Sequence, residues 1–284
     1  MSNPFEDENG ACTVLVNAEG QHSLFPEFAS VPTGWQPVFA APRQACMDYI
    51  NENWTDTPGP ALMAEGETAM SYRHVTFGDI RVSYTRELDG GGKTFGQAYV
   101  PFVRKHLGPV DRLLEWCAGP GFIGFSLLAG GLCESLDLAD INEHTEPVVR
   151  DTVLANGLDG RAAAHVSDCF AQIPPELRWD LIIGNPPHVN SDDAQTDYRR
   201  RHSPLIWQDS DWAVHRRFYR QVRDRLRPGG NVILQENHRF SSPEDFTVLA
   251  GEAGLDHVGV FDCGPGLQDY YFLWSRLPAA GTGS

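Results

Sequence analysis

From residue 110 to the end of the chain, short apolar runs alternate with longer stretches whose apolar residues recur every three or four positions. The short runs predict strands at 110–116 (VDRLLEW), 134–140, 161–166, 179–184 (WDLIIG), 231–236, 256–262 and 268–275. Helical spacing fills the gaps at about 121–129, 143–156, 212–226 and 243–253. Repeated strand–helix units call for an α/β fold: a doubly wound, mostly parallel seven-stranded sheet with helices on both faces. Only CGPG and a few residues separate the last two strands, so the final one is expected to run antiparallel. Upstream, HVTFGDIRVSYTREL (74–88) alternates as a hairpin does, and FGQAYVPFVRKHL (95–107) is spaced as a helix.

The first sixty residues follow another pattern. TVLVN (13–17), HSLF (22–25) and WQPVFA (35–40) read as three short strands, and 43–54 as an amphipathic helix laid on them. DTPGPALMAEGETAM (56–70) has no periodicity and reads as a linker. The boundary is placed at about 62, giving a small α+β domain at 1–62 and the large α/β domain at 63–284.

Composition narrows the function. A formal net charge of −16 argues against a nucleic-acid binder, which needs clustered Lys and Arg for phosphate contacts. No apolar run is long enough to span a membrane, and the acidic start MSNPFEDENG is unlike a signal peptide, so a cytoplasmic protein is expected. The six cysteines are scattered, without a C-x-x-C pair, and are read as reduced thiols; no metal site is expected.

Four strand ends carry candidate chemistry. LLEWCAGPGFIG (113–124) runs from strand through a Gly-rich turn into a helix, where Gly119 and Gly121 let the backbone approach a ligand. Glu115 suits a cationic amino group better than a pyrophosphate. Asp140 ends the next strand, placed to hold ribose hydroxyls. Asp168 ends the third, where it can accept from an exocyclic amine. Asn185 ends the fourth, followed by Pro186 and Pro187, which remove two donors and stiffen the loop. The Asn185 side chain and the Pro186 carbonyl can together accept from a planar –NH2 group. His188 supplies either a stacking ring or a proton acceptor. GGGKT (90–94) lacks the first glycine of a phosphate loop, since Glu87 stands there; it is expected to fold over the ligand, with Phe95 or Tyr99 near it. YRRRH (198–202) is either a solvated face or a lid over the substrate.

Taken in order, these motifs resemble the class I S-adenosylmethionine-dependent methyltransferases, and within them the amino-methylating branch with an N-P-P-[YFW] motif. The resemblance spans about 95–275. It implies a Rossmann-like methyltransferase fold with S-adenosyl-L-methionine as cofactor. Glu115, Ala118, Gly119 and Gly121 would hold the methionine part, Asp140 the ribose and Asp168 the adenine, with Trp116, Cys117, Phe122, Ile141 and Cys169 beside them. Asn185 and Pro186 would hold the substrate nitrogen. His188 stands where the branch has Tyr, Phe or Trp.

NAEGQHSLFPEFASVPTGW (17–35) and CMDYINENWTD (46–56) closely resemble the MbtH-like proteins, partners of nonribosomal peptide synthetase adenylation domains. By that resemblance Ser23, Leu24, Phe25 and Trp35 form the partner-binding cleft, with Phe25 in the usual place of a Trp. The two resemblances imply an N-methyltransferase of nonribosomal peptide biosynthesis. Its acceptor would be a nitrogen of an amino acid, amide, guanidine or amine, free or carrier-tethered. The alternatives are an adenylation-domain chaperone with a degenerate methyltransferase scaffold, or an O- or C-methyltransferase of the same pathway.

Overall fold

The computed structural model describes residues 11–17, 22–26, 31, 35–42, 45, 46, 49, 72–190 and 202–279. The chain divides into two compact units, Met1–Ser71 and Tyr72–Ser284.

In the first unit, β1 (Ala11–Asn17) lies between β2 (His22–Pro26) and β3 (Trp35–Pro42), antiparallel to both. Its central Val14 and Leu15 are buried. Of the expected helix, Ala45, Cys46 and Tyr49 are helical, and the remainder lies outside the described residues. Tyr49 stacks on Phe39 of β3 with ring centroids 4.4 Å apart, and Cys46 Sγ donates to Cys12 O at 3.2 Å, so these helical residues sit against the sheet. A sheet this small buries little apolar area and needs such a cover.

The second unit opens with the antiparallel hairpin of β4 (Arg73–Phe77) and β5 (Ile80–Tyr84). Helix α1 (Tyr99–His106) follows, and then a seven-stranded sheet. Its strands are β6 (Val110–Trp116), β7 (Cys133–Asp140), β8 (Ala162–Val166), β9 (Trp179–Gly184), β10 (Leu226–Asn237), β11 (Asp256–Asp262) and β12 (Tyr270–Arg276). They lie in the order β11-β12-β10-β9-β6-β7-β8. β12 alone runs antiparallel, inserted between β10 and β11, as the short CGPG connection requires. The strands read as nearly continuous apolar runs because both faces are covered. Leu113, Leu181, Leu136 and Ile233 point into one core, while Leu114, Ile182, Val232 and Leu234 point into the other.

Helices connect these strands at α2 (Phe122–Ala129), α3 (Thr145–Ala155), α4 (Pro204–Trp207), α5 (Ala213–Val222) and α6 (Pro243–Glu252). α2 is apolar all round and buried along most of its length, as expected of a helix packed on the sheet under another layer. The hairpin is tied to α3: Ser83 N donates to Thr152 Oγ1 at 2.9 Å, and Asn156 bonds both backbone groups of Arg81. β6 and β9 are adjacent, and the chain moves outward from them in opposite directions. That reversal opens a crevice at the carboxyl ends of the strands, where ligands of doubly wound folds bind. No helix among the described residues is long and apolar enough to cross a membrane.

Candidate active site

A cavity of about 650 Å³ occupies this crevice. Every strand end singled out in the sequence reaches it: Glu115, Trp116 and Cys117 from β6, Asp140 and Ile141 from β7, Asp168 and Cys169 after β8, and Asn185 to His188 after β9. Ala118, Gly119 and Phe122 line it as well. Gly121 does not; it shapes the turn. Its φ of 82° is left-handed, and a Cβ there would lie 2.7 Å from Leu138 Cδ2. Gly119, at φ 50°, has Leu88 O only 3.0 Å from where a Cβ would stand. Cys117 and Cys169 also hold positive φ, at 54° and 51°. For residues other than glycine this is strained backbone, of the kind that gathers at ligand sites.

The acidic groups are bound into this frame. Asp140 Oδ2 accepts from Gly119 N at 2.7 Å and Oδ1 from Asn142 N at 2.9 Å, so the carboxylate ties the end of β7 to the Gly-rich turn. Burial pushes its pKa up, and the backbone donors limit the rise. Each oxygen keeps a lone pair for a further donor. Glu115 is 2% exposed, and its Oε2 accepts from Gly124 N at 2.6 Å. Burial lifts this carboxyl to about 8, so it is mostly neutral at pH 7. A cation seated against it would draw it back toward carboxylate. Asp168 faces Arg217, whose Nη1 donates to Asp168 Oδ1 at 2.6 Å. Trp116 is stacked on Phe218 of α5, with centroids 4.0 Å apart.

At the other end of the cavity, Asn185 Oδ1 is buried and has no hydrogen-bond partner. A buried amide oxygen left unpaired costs about 1–3 kcal/mol, which a ligand N–H would recover. Pro186 and Pro187 beside it are buried and carry no N–H to satisfy it. The His188 ring meets Tyr270 edge-on, with centroids 5.8 Å apart, and its Nδ1 lies 3.4 Å from Glu236 Oε2. Tyr270 in turn stacks on Phe95, at 5.2 Å. Phe95 lines the cavity with Gly90 and Gly92, as expected of the glycine segment. Tyr99 does not: it is fully buried in the core, its hydroxyl 2.7 Å from Gly184 O and 2.9 Å from Ile233 O, where it braces β9 and β10. The segment YRRRH lies outside the described residues except for His202.

Sequence reasoning missed Trp207, Arg217, Asn237 and Tyr270, which line the cavity, and the buried Asp209, His215 and Glu236. The one signal for this group was an acid, Glu236, at the end of the strand run NVILQE. Of the partner-binding candidates, Ser23, Leu24 and Phe25 lie on β2 opposite Leu15, Val14 and Thr13, and Trp35 opens β3 opposite Asn17. Their side chains lie outside the described residues.

Comparison with known proteins identifies both units. The family model for MbtH-like protein matches residues 1–65, and that for Methyltransferase small domain matches 94–202. The chain belongs to the MbtH-like family through its first unit, and its second unit is a methyltransferase domain. Among individual relatives, the enterobactin biosynthesis protein YbdZ of Escherichia coli is 44% identical over 60 residues, which are 20% of this chain and 83% of that protein. A ribosomal protein uL3 glutamine methyltransferase of Bradyrhizobium diazoefficiens is 31% identical over 134 residues, 46% of this chain. The match spans 42% of that enzyme's length, and the chain covers about half of the other glutamine methyltransferases it resembles. SMU.776, solved in complex with SAH and described as a methyltransferase, shares the fold with a TM-score of 0.51 at 12% identity, over 82% of this chain and 64% of its own.

Proposed function

We propose that the chain is an S-adenosylmethionine-dependent N-methyltransferase of nonribosomal peptide biosynthesis, whose MbtH-like domain, residues 1–62, binds an adenylation domain. The observation that carries the N-methylation reading is Asn185 Oδ1: a buried acceptor without a partner at the carboxyl end of β9, on the wall of the cavity. With the Pro186 carbonyl it offers two acceptors to one –NH2 group and turns the nitrogen lone pair away from them.

The cavity suits S-adenosylmethionine. Its volume of about 650 Å³ lies within the range of small-molecule sites, and Glu115, Asp140 and Asn185 bring polar groups to it from strand ends. Glu115 and the Gly119 turn would hold the methionine part, Asp140 the ribose and Asp168 the adenine. The bound cofactor supplies an already activated methyl group on a sulfonium, so no metal is required. The chain contributes alignment: Asn185 and Pro186 fix the acceptor nitrogen, Trp116 and Phe95 form apolar walls that exclude water, and His188 stands next to the departing proton.

The names of the glutamine methyltransferase relatives favour a planar amide nitrogen among the candidate acceptors. The MbtH-like family match supports the peptide-synthetase setting, and a fused domain would raise the local concentration of the methyltransferase at its partner. Calorimetric titration with S-adenosylmethionine tests the reading. The wild type is expected to bind, and Asp140→Ala to bind at least about tenfold more weakly, roughly 1.4 kcal/mol. A folded wild-type protein that gives no binding heat would refute the enzyme and leave the chaperone alternative.

A further inference from the structure

Beneath His188 lies a chain of buried ionisable groups that the methyl-transfer reading leaves unused. Glu236, near the end of β10, is fully buried in the sheet. Its Oε2 faces His188 Nδ1 at 3.4 Å, and its Oε1 accepts from His215 Nε2 at 3.0 Å. The other ring nitrogen of His215, Nδ1, is 2.6 Å from Asp209 Oδ2. Asp209 is itself fixed at the start of α5, accepting from Val214 N at 2.7 Å and His215 N at 3.1 Å. The His215 ring is clamped by aromatics: it stacks on Phe246 at 4.3 Å and meets Trp116 and Trp212 edge-on.

The protonation pattern follows from this geometry. A histidine between two carboxylates donates from both nitrogens and is therefore a cation. Burial alone would lower its pKa, but Glu236 and Asp209 outweigh burial and raise it to about 9. Burial likewise pushes Glu236 upward, and the His215 charge with the two imidazole bonds holds it below its usual range. The phenols of Tyr219 and Tyr271, which also feel Glu236, are pushed up by burial and remain protonated. The network thus pairs a His215 cation with the Glu236 carboxylate, whose second oxygen faces His188. A carboxylate can only accept, so the singly protonated His188 ring places its N–H on Nδ1. Nε2 is then left as a bare lone pair, and no hydrogen bond to it is found among the described residues.

We propose that Glu236, locked by His215 and Asp209, is a positioning residue that fixes His188 in the Nδ1–H tautomer with Nε2 as proton acceptor toward the substrate nitrogen. This rests on the N-methyltransferase reading. The proton leaving the acceptor nitrogen goes to Nε2, the Nδ1–H stays where it is, and the resulting imidazolium is stabilised by Glu236. The 3.4 Å contact is long, as catalytic contacts in ligand-free sites commonly are. The arrangement shares the logic of a nucleophile's base held by a buried carboxylate, here with a second histidine and carboxylate behind it. It separates the two roles that the sequence left open for His188. A purely stacking ring has no use for a buried charge at its Nδ1.

Nitrogen-15 NMR of protein with labelled histidines tests this without any methyl acceptor, the His188 and His215 signals being assigned by loss in His188→Asn and His215→Gln. The wild type is expected to show His188 as the Nδ1–H tautomer and, at neutral pH, His215 protonated on both nitrogens. In Glu236→Gln the His188 signals are expected to shift toward the Nε2–H form. A wild-type His188 in the Nε2–H form, a neutral His215, or a Glu236→Gln spectrum with His188 unchanged would each overturn the proposal. If Glu236→Gln does not fold, the wild-type spectrum alone decides. Titration with S-adenosylhomocysteine on the same sample keeps the two ideas apart: absence of binding counts against the methyltransferase reading, whereas the tautomer reports only on Glu236.

Discussion

At the scale of single residues, burial decides more than residue type. Glu115 looks in sequence like an anionic partner for a cation, but its carboxyl, buried against Gly124 N, is raised from 4.5 to about 8. Between those values the unfolded chain releases a proton that the native state keeps, so native stability falls as pH rises. The size is on the order of a few kcal/mol. Glu115→Gln keeps an acceptor for Gly124 N and removes the titration. Thermal melts of the ligand-free protein from pH 5 to 9 are expected to show the wild type losing stability relative to this variant up to about pH 8. Parallel curves would mean that Glu115 ionises normally. His215 adds a second loss with its own window. Its raised pKa contributes stability that is complete below about 6.5 and disappears as pH rises through about 9, so it should survive in Glu115→Gln as a residual decline between those two values. Strand-end residues such as Asp140 and Asn185 were legible in the sequence because each ends an apolar run. Asp209, His215 and Glu236 were not: they are spread over 28 positions, and only the packing of α5 on β10 brings them together.

At the scale of elements, the apolar patterns located every strand of the large sheet and its antiparallel last strand. The pattern does not reveal how closely two elements approach. α2 begins one turn above β6, and Gly124 is the residue that permits it. A Cβ there would lie 2.8 Å from Glu115 Oε2 and 2.6 Å from Leu136 Cδ1. Replacing a helical glycine with alanine ordinarily gains up to about 1 kcal/mol. Gly251 in α6 has nothing within 4 Å of its Cβ position, and Gly251→Ala is expected to follow that rule. Gly124→Ala is expected to reverse the sign and cost about 1–3 kcal/mol through overpacking. Urea unfolding of the two variants side by side checks the contrast; a stabilised Gly124→Ala would show that Leu136 and Glu115 yield easily. Tyr99 shows the opposite limit of sequence reading. Its place just after a glycine segment suggested the ligand, whereas its hydroxyl serves two strand carbonyls in the core.

At the scale of the whole molecule, the chain combines an MbtH-like unit with a methyltransferase domain. The resemblance of the first unit to MbtH-like proteins makes Trp35 the proposed anchor for an adenylation domain. Trp35→Ala is expected to cost about 2 kcal/mol or more of that binding, as loss of a large aromatic anchor does. Co-purification with an adenylation domain at matched expression checks it, and an undiminished yield would move the cleft elsewhere. The cavity of the second unit also has an order along the chain. The wall from Glu115 to Asp168 falls inside the stretch shared with the methyltransferase family, 94–202. Trp207, Asn237 and Tyr270, like the charges under His188, all come after it. The residues proposed for the methyl donor and the Asn185 to His188 segment thus share one inherited stretch, whereas the carboxylate behind His188 and the rest of the cavity wall come from the chain beyond it. Exchange of the segment beyond residue 202 between related proteins is therefore expected to alter the support of His188 while leaving in place the residues proposed to hold the methyl donor.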